Sequence, residues 1–212
     1  AIDGKTMRGS RRGLNGSAVH VVSAFATANG ITLGQRVVDE KSNEITAIPE
    51  LLKTLEIAGA LVTIDAMGCQ TKIAEAIREK EADYLLAVKE NQPRLYDNIH
   101  EFATRALEKE YAGIPHELFE EQERSHGRNE FRACYVFDAK DVVLDRTPWK
   151  DLKSIVMIVS EREVNGKAAS EVRYYISSRQ TTAELFASAV RNHWGVENGL
   201  HWMLDGIMGD DG

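Results

Sequence analysis

Six consecutive residues, Ala60-Leu61-Val62-Thr63-Ile64-Asp65, constrain this chain more than any others. They form a short run without polar alternation, as in a central strand buried on both faces, and the run ends in a carboxylate. Such a strand needs covering layers, and the sequence that follows supplies them. Thr71 begins a helix using Ile73, Ala74 and Ile77, and Tyr84 to Val88 makes a second apolar strand, so residues 60–88 read as a strand-helix-strand unit with a parallel pair. The fold class is therefore α/β.

The flanking sequence extends this frame. Ala18 to Ala28 and Ile31 to Asp39 are rich in β-formers and are separated by Asn29-Gly30, a two-residue hairpin signal. Thr46 is expected to cap a helix whose first turn tolerates Pro49, with Ile48, Leu51, Leu52 and Leu55 on one face and Gly59 at its end. Pro93 starts a long amphipathic helix with Leu95, Ile99, Phe102, Ala103 and Leu107 inward. Between about Tyr111 and Ser178 the pattern becomes extended, with segments Phe131 to Phe137, Ser154 to Val164 and Ser170 to Ser178, the last two joined around Asn165-Gly166. This reads as a β-rich insertion or sheet extension. A last helix runs from about Thr182 to Leu204, its stripe formed by Leu185, Phe186, Ala189, Val190, His193, Glu197 and Leu200.

Composition removes several classes of function. At 212 residues, with 43% hydrophobic and 28% charged, the chain can bury a full core without covalent staples. Cys69 and Cys134 have no CxxC or Cys/His spacing, which disfavours structural zinc and fits a reduced, intracellular setting. No apolar stretch approaches the roughly 20 residues of a membrane span, and no signal peptide precedes the first strand. A net charge of −7 argues against nucleic-acid binding by bulk charge, although residues 1–12 carry a local +3 from Lys5, Arg8, Arg11 and Arg12 against Asp3. With Ala1 first and a Gly-rich end, the sequence reads as a fragment or a processed chain.

Three carboxylates stand where core-building rules give no reason for them. Asp3 follows a short apolar start, Asp65 closes the buried strand, and Glu197 lies on the stripe of the last helix. A charge rarely enters a core without a compensating partner, and a divalent cation would compensate all three. Ligand crevices of open α/β sheets lie at the carboxyl ends of parallel strands, where Asp65 belongs and where Asp3 belongs if its strand is a neighbour. Three such acids form a hard oxygen site suited to Mg²⁺ or Mn²⁺, with room for two ions about 4 Å apart and in-line phosphoryl transfer. Taken singly, each acid has an ordinary explanation: a turn cap for Asp3, a loop start for Asp65, an arginine pair for Glu197. On the last helix His193, Glu197 and His201 recur every four residues on one face. Histidines eight apart with a carboxylate between them do not match the usual helical zinc pair, so His193 and His201 are assigned to phosphate contact or to orienting Glu197. Trp194 and Trp202 either pack the flanks or stack on bases. Ser125-His126-Gly127-Arg128 mixes donors with glycine, as phosphate-contacting loops do. Gly4-Lys5-Thr6 lacks the preceding glycine of a nucleotide-binding P-loop.

Five segments, Ala1 to Thr6, Thr63 to Gln70, Lys89-Glu90-Asn91-Gln92, Ser125 to Arg128 and Asn192 to Asp205, together resemble the H-repeat-associated proteins, a family of DDE-class insertion-sequence transposases. The resemblance covers nearly the whole chain in the same order. It implies a single catalytic domain over residues 1–212, with an RNase H-like mixed sheet flanked by helices and a β-rich insertion, about 111–178, before the last catalytic helix. It implies Asp3, Asp65 and Glu197 as the catalytic and metal-binding triad, and Mg²⁺ or Mn²⁺ as cofactor. The implied activity is hydrolysis and strand transfer at the ends of a mobile element. Lys5, Arg8, Arg12, His126, Arg128, His193 and His201, with Arg179 beside them, would position double-stranded DNA, both element ends and target. The implied setting is the bacterial cytoplasm at the nucleoid, as a homo-oligomer on DNA and with no membrane. Related transposases carry a tyrosine-arginine-glutamate-lysine pattern on the glutamate's helix; here His193 replaces that arginine and Leu204 that lysine. A catalytically silent DNA-binding remnant is the alternative, and a repair or RNA nuclease on the same core is a third reading.

Overall fold

The computed structural model describes residues 1–7, 10, 18–38, 43–125, 128–142, 145–146, 148–164 and 167–196. They form two units, one within residues 1–84 together with 189–196, the other within residues 85–188. Strands of mixed direction flanked by helices agree with the RNase H-like expectation. Among the described residues no helix is long and apolar enough to cross a membrane.

In the first unit the strand order is β3-β2-β1-β4, from β1 (Ile2–Met7), β2 (Val19–Ala26), β3 (Ile31–Val38) and β4 (Leu61–Ile64). The β2–β3 hairpin forms around Asn29-Gly30, but β2 ends at Ala26 and pairs it with Ile31, so the turn is the four residues Thr27 to Gly30 rather than the expected two, with Gly30 at φ +65°. A register shift between Ala24 and Phe25 kinks β2. β1 runs antiparallel to β2 and parallel to β4, the latter with Ile2 opposite Ile64. Here the sequence reading falls short, because β1 does not end near Asp3 but continues through it to Met7. Pairing with the long strand β2 overrides the weak β propensity of Asp-Gly-Lys.

Helix α1 (Glu44–Lys53) also begins earlier than expected. Asn43 is its N-cap and Thr46 its N3 residue, each side chain bonding the other's backbone as a capping box, so Pro49 falls in the second turn rather than the first. The buried face of α1, Ala47, Ile48, Leu51 and Leu52, packs on β2, β3 and α2 (Thr71–Glu79), which buries Ile73, Ala74 and Ile77 as its spacing predicts. Each fully buried Leu or Ile here contributes about 1.5–3 kcal/mol.

The second unit opens with β5 (Asp83–Val88) and has the order β5-β9-β8-β7-β6, from β6 (Glu117–Ser125), β7 (Arg128–Asp138), β8 (Ser154–Val164) and β9 (Lys167–Ser177), every neighbour antiparallel. Helix α3 (Pro93–Glu108) starts at its proline and buries Leu95, Ile99, Ala103 and Ala106, but Leu107, in its last turn, is 65% exposed. The short helix α4 (Ala139–Val142) and the longer α5 (Ala183–His193) complete the fold. Phe186 is the buried anchor of α5, whereas Leu185 is exposed, so the apolar stripe is narrower than expected. The expected turn at Asn165-Gly166 and the continuation of the last helix beyond Val196 lie outside the described residues.

Candidate catalytic site

Two faces of the first unit's sheet can be told apart by what packs on them. On β1 the alternation of side chains sends Gly4 and Thr6 toward α1, where Thr6 Oγ1 bonds His20 Nδ1 at 2.9 Å and His20 Nε2 meets Glu44 Oε1 at 2.6 Å. A Cβ on Gly4 would overlap the Glu44 carboxylate, so the glycine after Asp3 leaves room for this bridge between β1, β2 and α1. Asp3 and Lys5 therefore occupy the opposite face.

The parallel register continues that logic. Ile2 and Ile64 are paired, so the next residues along both strands, Asp3 and Asp65, occupy neighbouring positions at the carboxyl end of β4. Asp65 Oδ1 accepts from the backbone N–H of Met67 at 3.1 Å and of Gly68 at 3.3 Å, which holds the carboxylate at the mouth of the loop. Gly68 folds that loop back onto Ile64, whose side chain a Cβ at this position would overlap. Cys69, fully buried just beyond, has its thiol pushed up to about 12 by burial and by the nearby Asp65 charge, and so is inert at neutral pH.

Thr63 lies two residues before Asp65 and shares its side of the strand. Its Oγ1 is hydrogen-bonded to His193 Nδ1 at 2.9 Å, fastening the end of α5 to the face that carries Asp3, Lys5 and Asp65. Burial lowers the His193 pKa to about 4, with the Ala1 ammonium acting in the same direction and the Asp65 carboxylate against it. The ring is consequently neutral at pH 7. Three residues further, Val196 is fully buried against Phe25 on β2, with Ala1 beside them.

The structure thus places Asp3, Lys5, Asp65 and His193, among the expected site residues, on one face of the first unit's sheet. Arg8, Arg12, His126, Glu197 and His201 lie outside the described residues, as does the side chain of Arg128. Among the described residues no three His, Cys, Asp or Glu side chains form a metal-holding group. Two neighbouring carboxylates are a hard oxygen pair fitting a Mg²⁺-type ion in donor chemistry, short of a third ligand. His193 is partly buried and fastened to Thr63, a contact that its spacing alone did not reveal. Thr63 was missed altogether, although one hydroxyl inside the apolar run Leu61 to Ile64 was the available signal.

The transposase DDE domain family matches residues 1–211. Two proteins of Escherichia coli strain K12, YbfL and the one named "H repeat-associated putative transposase YhhI", are each 49% identical to this chain over its full length. The chain spans 57% of the length of each of these relatives.

Proposed function

We infer that this chain, which belongs to the transposase DDE domain family and is similar to H repeat-associated transposases, is the catalytic domain of an insertion-sequence transposase. On this reading it hydrolyses DNA phosphodiesters at element ends and transfers the freed strand to target DNA. The observation that carries the reading is the parallel register that sets Asp3 beside Asp65 on the face to which Thr63 and His193 fasten α5.

Asp3 and Asp65 would hold the divalent ion, Mg²⁺ or Mn²⁺, with Glu197 as the third carboxylate, four residues beyond His193 in sequence. When bound, such ions supply Lewis acidity to the scissile phosphate and lower the pKa of an attacking water or 3′-hydroxyl. The remaining work falls to the protein. The two backbone N–H bonds to Asp65 orient its carboxylate, and Lys5, on the same face as Asp3, is proposed to contact a phosphate oxygen. His193, neutral and hydrogen-bonded, positions the end of α5 rather than contributing charge. Arg8, Arg12, His126, Arg128 and His201 are proposed as further contacts to double-stranded DNA, in a homo-oligomer that pairs two ends.

A cleavage assay tests this. Labelled element-end duplexes incubated with Mn²⁺ should be nicked by the protein and left intact by Asp3→Asn, Asp65→Asn and Glu197→Gln. Binding of the duplex without nicking by any form would support the catalytically silent remnant instead, and equal nicking of scrambled ends would support a general nuclease.

A further inference from the structure

Lys89-Glu90-Asn91 has no part in the acidic site, yet it lines a cavity of the second unit. β5 stops at Val88, which is paired with Tyr174, whereas β9 begins at Lys167, so residues 167–173 of β9 precede its pairing with β5. The notch left where β5 ends is a cavity of about 410 Å³, with Lys89, Glu90, Asn91, Tyr96, Glu171 and Arg173 in its lining. That volume lies within the range of small-ligand pockets.

Its chemistry selects a class of occupant. The two cations and two carboxylates balance, and Arg173 is committed to Glu171 through Nε at 2.7 Å and Nη2 at 2.8 Å. A balanced site has no surplus charge for a phosphate or a metal ion. One wall is a ring held from behind: Tyr96 lies edge-on to Tyr174 at 5.6 Å and parallel to His100 at 5.7 Å, and His100 Nδ1 is hydrogen-bonded to the Tyr174 hydroxyl at 3.0 Å. The Asn91 side chain carries both a donor and an acceptor. A ring held in place, with an amide and mutually balanced charges beside it, suits a flat, uncharged molecule with hydrogen-bonding edges.

We propose that this cavity binds an unpaired nucleobase of a DNA strand, stacked on Tyr96 and read at its edge by Asn91 and Lys89. The proposal rests on the DNA-processing reading above and adds to it a single-strand contact remote in sequence from Asp3 and Asp65. Base–aromatic contacts of this kind tolerate any base.

The test is equilibrium binding of two probes, a short oligodeoxyadenylate and a blunt element-end duplex, to the whole chain. Tyr96→Ala should weaken the single strand about tenfold or more and leave the duplex unchanged. Tyr96→Phe should retain single-strand affinity, and Asn91→Ala should lose part of it. An oligonucleotide with abasic sites should bind the native protein as weakly as the intact one binds Tyr96→Ala. Normal duplex binding together with undiminished single-strand binding by both Tyr96→Ala and Asn91→Ala would overturn the cavity proposal alone. Absence of binding to either probe by the native chain would overturn the DNA reading and the proposal with it.

Discussion

His193 and Thr63 are 130 residues apart in sequence and 2.9 Å apart in space, joined by a hydrogen bond between Nδ1 and Oγ1. This single contact ties the last described helix to the strand that delivers Asp65. Removing the hydroxyl with Thr63→Val leaves a partly buried ring nitrogen without this partner, at a cost of about 1 kcal/mol. Urea unfolding of the variant measures that cost, and an unchanged midpoint would contradict the assigned role.

The same ring makes stability depend on pH. Its folded pKa of about 4 lies below the ordinary histidine value near 6.5, so between these values the unfolded chain binds a proton that the folded chain does not. His193 therefore costs no stability above that window and lowers stability progressively as pH falls through it. Denaturant midpoints measured across the window should drop with acid in the native protein and drop less in His193→Gln. Equal slopes would mean that the ring is not buried neutral.

Two glycines of the motifs are there for close packing, and a third is not. Gly68→Ala drives a methyl into the branched Ile64 side chain and is expected to destabilise by about 1–3 kcal/mol, whereas Gly4→Ala displaces the Glu44 carboxylate from His20 and is expected to cost less, about 1 kcal/mol. Gly195 meets nothing within 4 Å, and Gly195→Ala should instead stabilise by up to about 1 kcal/mol. Thermal unfolding of the three variants gives the signs directly.

Both thiols are shielded. Burial pushes Cys69 and Cys134 each up to about 12. A thiol-specific chromogenic reagent at mildly alkaline pH should label neither in the folded protein and both in denaturant. Rapid labelling of the folded chain would contradict the packing around Asp65.

Much of this architecture was legible because it is local. The Asn29-Gly30 hairpin, Pro93 at the start of α3, the apolar faces of α2 and α3 and the bounds of β8 follow from turn chemistry and periodicity in neighbouring residues. What escaped depends on partners distant in sequence. Glu117–Ser125 is too acidic to read as a strand, yet it pairs along its whole length with β7. β1 extends through Asp3 because β2 pairs with it. The cap of α1 was misplaced by three residues because Thr46 resembles an N-cap, while Asn43 and Thr46 act as a pair. Asp3 and Asp65 could be singled out as unexplained acids, but that they stand side by side is a matter of strand register. Thr63 could not be given a role without knowing which residue of a distant helix faces it.

The most direct test is a Mn²⁺ titration by calorimetry and thermal shift on this chain and on Asp3→Asn, Asp65→Asn and Glu197→Gln. Convergence of the three carboxylates predicts saturable binding that raises the unfolding temperature of the native chain and is lost or strongly weakened in each variant. Absence of saturable binding by the native chain, or binding unaffected by Asp65→Asn, would contradict it.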